Sequence, residues 1–271
     1  MSIHSATASN SILIEHEARG IFHIVLNRPD VHNAFDDRII LQMTEAIEQV
    51  VQNKDARAII LRSNGKNFSA GADLNWMRRI AALDFKDNVA DAQQLAALMQ
   101  TLNECPLPTL CLVQGAAFGG ALGLISCCDI AIADYNATFC LSETRIGLVP
   151  AVISPYVIRA MGERQARRYF LTAEKFDANT ALTIGLIHRI VANDALLSEA
   201  EHFITMLLNN SPNAILKAKR LIQDVSGHPI SDELIKYTTE LIAFMRVSEQ
   251  GQDGLNAFLE KRPAAWQHGD K

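Results

Sequence analysis

Short apolar runs alternate with helix-forming stretches through most of this chain, and then the runs stop. Strand-like segments fall at residues 21–26, 58–61, 110–113, 130–133 and 138–141. Between residues 36 and 52, Ile39, Ile40, Met43, Ile47, Val50 and Val51 recur at the spacing of one helical face, and Asp36 or Asp37 can cap its start. A second helix is expected over residues 88–103, ending before Pro106 and Pro108. Strands interleaved with helices predict an α/β fold. Past about residue 195, SEAEHFITMLLNN, SPNAILKAKRLIQDV and ELIKYTTELIAFMRV all read as amphipathic helices. The organisation expected is a core over residues 1–194 and a helical region over residues 195–271, packed on that core or on another subunit.

Residues 114–129, QGAAFGGALGLISCCD, begin rich in glycine, turn helical and apolar, and give way to the strand-like DIAIA. Gly115 and Gly120 have the separation of a phosphate-binding loop, but Ala121 and Leu122 follow where Lys and Ser or Thr are needed. Gly115, Gly119, Gly120 and Gly123 do not fall into the dinucleotide spacing either, and no G-x-S-x-G occurs here or around Ser69. Two physical readings stay open for this stretch. One is a turn opening a helix at Gly119 or Gly120, with unpaired N–H groups and the positive end of the dipole directed at an anionic oxygen. The other is close helix packing that tolerates small residues.

With 49% hydrophobic and 20% charged residues in a chain of 271, a sizeable core can be buried. The net charge of -5 argues against nucleic acid as a partner. No apolar run approaches the ~18 residues of a membrane span, and MSIHSATASN lacks the basic and apolar regions of a secretion signal. A cytoplasmic protein with no membrane partner is expected. Cys105, Cys111, Cys127, Cys128 and Cys140 are odd in number and sit in apolar surroundings, which predicts reduced, buried thiols. Cys127 and Cys128 are adjacent rather than spaced C-x-x-C, and no paired His lies near, so no metal is expected.

Four segments stand in order: LNRPDVHNAF from Leu26, FSAGADL from Phe68, QGAAFGGALGL from Gln114 and FCLSETRIGLVP from Phe139. With SPNAILKAKRLI and GLNAFLEKRPAAW in the tail, they closely resemble the crotonase (enoyl-CoA hydratase/isomerase) superfamily over nearly the whole chain. The resemblance implies a crotonase-type ββα superhelix core with a C-terminal helical trimerisation module. It implies homo-oligomers, trimers or dimers of trimers, acting on acyl-CoA thioesters without metal or redox cofactor, coenzyme A being part of the substrate. Charge that builds on a thioester oxygen is held by two fixed backbone N–H donors, and the resemblance assigns these to Ala72 and Gly120. It assigns CoA binding to Val31, Ala70, Asp73 and Leu74, with Asp73 also suited to capping a helix, and to Phe258 and Lys261 in the tail, through which a neighbouring subunit closes over the nucleotide.

Typical hydratases of that family present two glutamates; here Gly123 stands at the first position and Glu143, in LSETRIG, at the second. Glu143 is the expected proton carrier, with a pKa raised by its apolar surroundings. A Glu restored at Gly123 could share the handling of water if the pocket has room. The wording of GADLNWM, AFGGALGLISCCDIAIA and LSETRIGLVPAVISPY looks most like the bacterial methylglutaconyl-CoA hydratase branch, of leucine breakdown. That implies hydration of a branched or carboxylated 2-enoyl-CoA such as 3-methylglutaconyl-CoA. Because one glutamate is missing, an enoyl-CoA isomerase and a non-catalytic acyl-CoA-binding member stand as alternatives. Arg78, Arg79 and Arg145 are the cations nearest in sequence for a substrate carboxylate, and Asn75 stands where some relatives carry a Lys that meets CoA phosphate.

Overall fold

The computed structural model describes residues 11–267; MSIHSATASN, on which the expectation of no secretion signal rests, lies outside them, as do residues 268–271. In chain order the strands are β1 (Ile12–Glu17), β2 (Ile21–Leu26), β3 (Ala58–Ser63), β4 (Thr109–Val113), β5 (Ala116–Phe118), β6 (Ile130–Asp134), β7 (Thr138–Cys140), β8 (Phe176–Asp177) and β9 (Arg189–Val191). Six of them form one sheet in the order β1-β2-β3-β4-β6-β9, parallel throughout except for the antiparallel pair β1–β2.

Side chains alternate sides along a strand, and in this sheet both sides are apolar. Ile59, Leu61, Cys111 and Val113 point into one buried cluster, while Ala58, Ile60, Leu110, Leu112 and Ile132 point into another. Strands covered twice read as continuous apolar runs, which is why β2, β3, β4 and β6 were visible in the sequence. The first face is covered by α1 (Asp37–Val51), α3 (Phe85–Asn103), α4 (Gly120–Cys127) and α5 (Ser154–Met161), and the second by Leu196, Ala200 and Ile204 of α8 (Leu196–Leu208). Between these come α2 (Leu74–Ile80), α6 (Glu163–Thr172) and α7 (Ala178–Thr183).

Asp36 is the residue that caps α1, accepting from the Ile39 N–H at 2.9 Å. The second expected helix starts earlier than residue 88: α3 begins at Phe85, with Asp84 accepting from the Asp87 N–H. Phe85 is 85% exposed, so no apolar periodicity marks that first turn. β1, β5, β8 and β9 were not expected; β1 is a largely exposed edge strand, and the other three are two or three residues long. The three amphipathic tail segments form α8, α9 (Pro212–Val225) and α10 (Asp232–Val247), followed by α11 (Glu249–Glu260), and no strand follows β9 among the described residues. All five cysteines are buried and free, and burial pushes the Cys105 thiol up to about 11.

A second tier positions the site. β5, β7 and β8 form a small sheet, and isolated parallel bridges, Phe35 to Ala72 and Ser69 to Ala117, extend it toward the N-terminus. Successive passes of the chain through the long sheet therefore each lay one short extended piece in this tier: around Phe35, at residues 69–72, at β5 and at β7.

Candidate active site

Ala72, Gly120 and Glu143 come from three consecutive pieces of the second tier, and this shared origin brings residues far apart in sequence together. Phe35 donates to the Gly71 carbonyl at 2.8 Å and accepts from the Asp73 N–H at 2.7 Å. Because Phe35 bonds the residues on either side of Ala72, the Ala72 N–H faces away from it. The turn before Ala72 requires glycine: Gly71 has φ +99, and a Cβ there would lie 3.4 Å from the Phe118 carbonyl oxygen. The Ala72 turn is thus laid against the end of β5, and the ring of buried Phe35 sits 3.7 Å from where a Gly120 Cβ would stand.

Gly120 is the first residue of α4, and Gly119, at φ 56 and ψ -123, makes the turn into it. Gly119 donates to the Cys140 carbonyl at 2.9 Å, which ties this turn to β7. Among the described residues neither the Ala72 N–H nor the Gly120 N–H meets a protein acceptor. A helix start leaves such donors unpaired, with the positive dipole end behind them. Of the two readings of the glycine-rich stretch, the donor-presenting turn fits this geometry at Gly119 and Gly120; close packing accounts for Gly123 instead. A Cβ at Gly123 would come within 2.4 Å of Ile153 Cγ2 and 2.9 Å of Met99 Sδ. A Glu at this position has no room.

Glu143 begins a 3₁₀ turn, Glu143–Ile146, immediately after β7. Its carboxylate lies against the Gly119 turn, with Oε1 3.2 Å from where a Gly119 Cβ would be. Oε2 is buried and has no hydrogen-bond partner among the described residues. Burial pushes the Glu143 carboxyl above its ordinary range, an effect only partly offset by a backbone hydrogen bond. A carboxylate held in this way gives up and takes back a proton nearer neutral pH than a solvated one.

The expected CoA-binding residues divide into two groups. Val31, Ala70 and Leu74 are exposed around the Ala72 turn. Asp73 lies among them but spends its carboxylate on capping α2, accepting from the Asn75 and Trp76 N–H groups, and stands 3.5 Å from Arg28. Phe258 and Lys261 are exposed at the end of α11, which packs mainly on α9 and α10 and so does not bring them to Glu143 within one chain. The three cations considered for a substrate carboxylate are all engaged: Arg78 with Asn75, Arg79 with Asp37 and Arg145 with the Ala173 carbonyl.

Sequence reasoning passed over Asn33, Asn67 and Gln114, which join the loops beneath the site. Asn33 donates to the Asn64 and Asn67 carbonyls, Asn67 Oδ1 accepts from the Ala116 N–H, and Gln114 donates to the Ser63 and Gly65 carbonyls.

The enoyl-CoA hydratase/isomerase family profile matches residues 16–269. An enoyl-CoA hydratase from Shewanella pealeana superposes with a TM-score of 0.91 at 53% identity, covering 94% of this chain and 96% of that one. A putative enoyl-CoA hydratase/isomerase (crotonase) from Legionella pneumophila gives 0.89 at 43% identity, covering 94% of this chain and 98% of that one. A probable enoyl-CoA hydratase of Mycobacterium tuberculosis is 33% identical over 95% of this chain and 98% of its own length. The α/β architecture is that of the crotonase structures, with the helical tail included. The chain belongs to the enoyl-CoA hydratase/isomerase family.

Proposed function

We propose that this protein hydrates a 2-enoyl-CoA thioester, with Glu143 as its single acid/base and the Ala72 and Gly120 N–H groups as the oxyanion donors. The observation that carries this reading is the half-buried Glu143, its Oε2 shielded from solvent and its Oε1 lying against the glycine turn that presents the Gly120 donor. Glu143 takes a proton from water as the water oxygen bonds to C3 of the enoyl group. The electron pair of the C2–C3 bond moves toward the thioester oxygen, where the two N–H groups hold it, and the proton then returns to C2. Losing one such donor typically costs ~3 kcal/mol in the barrier. Val31, Ala70 and Leu74 would line the CoA path, and Phe258 and Lys261 would serve the site of a neighbouring copy in a trimer or dimer of trimers.

The wording of the site segments favours a branched or carboxylated acyl group such as 3-methylglutaconyl-CoA. A substrate carboxylate would have to draw Arg78 or Arg79 from its present partner at the exposed face of α2. One observation favours a second reading, isomerisation: Ile153 and Met99 fill the space beside Gly123, so no second carboxylate stands ready for water. Incubation with a panel of enoyl-CoAs in isotopically labelled water separates the two. Oxygen label in a new hydroxyl marks hydration. Hydrogen exchange at carbon without a hydroxyl marks isomerisation, and no label in any product would defeat both. Turnover of crotonyl-CoA equal to or better than that of 3-methylglutaconyl-CoA would remove the case for a carboxylated substrate.

A further inference from the structure

No residue of the turn Glu143–Ile146 is buried as a whole, although Glu143 Oε2 is, and a 3₁₀ turn of this length has little stability of its own. What fixes it is a set of polar ties to the end of a different element, α6. That helix stops at Ala173, which adopts the left-handed region at φ 49, and its last carbonyls point out of the helix without intrahelical partners. The Thr144 hydroxyl donates to the Phe170 carbonyl at 3.0 Å. Arg145 Nη2 donates to the Ala173 carbonyl at 2.6 Å, a charge-assisted bond at the negative end of a helix. The Cys140 thiol donates to the same Ala173 oxygen at 3.2 Å, while the Cys140 carbonyl accepts from Gly119. One carbonyl thus ties down the chain on both sides of Glu143 and, through Cys140, the turn that presents Gly120.

We propose that Arg145 and Thr144 are positioning residues for Glu143, clasping its turn to the C-terminal end of α6 so that the carboxylate stays against Gly119. This rests on the reading of Glu143 as the acid/base. Arg145 spends a guanidinium N–H on the Ala173 carbonyl, so it serves the protein rather than a substrate carboxylate. A carboxylate that drifts by about 1 Å can cost a factor of order 100 in rate. A looser turn also returns the carboxyl to water and removes the desolvation that elevates it.

The test compares wild type, Arg145→Met, Arg145→Lys, Thr144→Val and Glu143→Gln on one enoyl-CoA, after thermal melts verify that each is folded at assay temperature. Arg145→Met should lower kcat by about 10- to 100-fold with KM nearly unchanged, and the acidic limb of its kcat/KM profile should move to lower pH. Thr144→Val should do the same to a smaller extent. Arg145→Lys, which can still donate to the Ala173 carbonyl, should recover much of the rate. Unchanged kcat and an unmoved acidic limb in Arg145→Met, with Glu143→Gln inactive, would overturn the clasp and leave the acid/base assignment standing. Full activity in Glu143→Gln would overturn both.

Discussion

Ile153 stands where a side chain on Gly123 would have to go, its Cγ2 2.4 Å from the Cβ that any other residue would bring. The absence of the first glutamate is therefore matched by its surroundings. Gly123 is buried in α4 against a well-packed apolar floor that includes Met99 and Cys127, themselves in contact. Gly123→Ala should destabilise the fold by about 1–3 kcal/mol, the usual cost of overpacking, measured by denaturant unfolding. Gly123→Glu should be worse, since it adds a buried carboxylate to the clash. Combining either change with Ile153→Ala should recover part of the loss, and equal stability of Gly123→Ala and wild type would contradict the packing described.

Glu143→Gln preserves size while removing the base. Turnover should fall by something like 10²- to 10⁴-fold, the range for positioned acid/base groups. Binding of an acyl-CoA product, followed by calorimetry, should survive, because the oxyanion donors are backbone groups of Ala72 and Gly120 that this substitution does not touch. Near-normal turnover with unchanged binding would send the search to another acid. Asp73 would be first, and its N-cap bonds to Asn75 and Trp76 make it a poor candidate.

Assembly is predicted from the tail. Ile235, Ile242, Phe244, Val247, Phe258 and Leu259 are all exposed on α10 and α11, more apolar surface than isolated chains commonly present in one region. Light scattering at micromolar concentration should give the mass of a trimer or hexamer. A stable monomer would count against the tail residues Phe258 and Lys261 reaching any acyl-CoA site.

Legibility in the sequence followed burial. β2, β3, β4 and β6 were readable because both of their faces are apolar, and α1 because its inward face repeats at 3.6 residues and Asp36 marks its start. β5 was not: Ala116–Phe118 is three residues inside a glycine-rich stretch, and what makes it a strand is pairing with β7 and a bridge to Ser69, contacts that no local pattern encodes. The same limit applies to the site. Ala72, Gly120 and Glu143 could be named from ordered motifs, but Phe35, which organises the Ala72 turn, and Arg145 and Thr144, which tie down Glu143, act through partners 26 to 37 residues away, in the second tier for Phe35 and at the end of α6 for the other two. In the sequence Arg145 is a cation beside a motif, which carries no indication of whether it will meet a substrate carboxylate or the Ala173 carbonyl.

The elevated Glu143 carboxyl also has a consequence for stability that is independent of catalysis. Burial raises its pKa above the ordinary 4.5, so the folded protein holds this proton more tightly than the unfolded chain does. Protonated Glu143 therefore favours folding. That contribution is fully present below about 4.5 and is lost as pH rises through the higher folded value, each unit of elevation being worth ~1.4 kcal/mol. Gln at this position cannot ionise and suffers no such loss. The stability of Glu143→Gln relative to wild type should accordingly be flat in acid, grow as pH rises through the folded pKa, and level off above it, so that the difference is most favourable to the variant at neutral pH. Denaturant unfolding of both proteins across that interval measures the difference directly. A difference that stays constant from acid to neutral pH, or that shrinks as pH rises, would mean that the carboxylate is solvated in the folded protein and that Oε2 is not the desolvated atom its burial indicates.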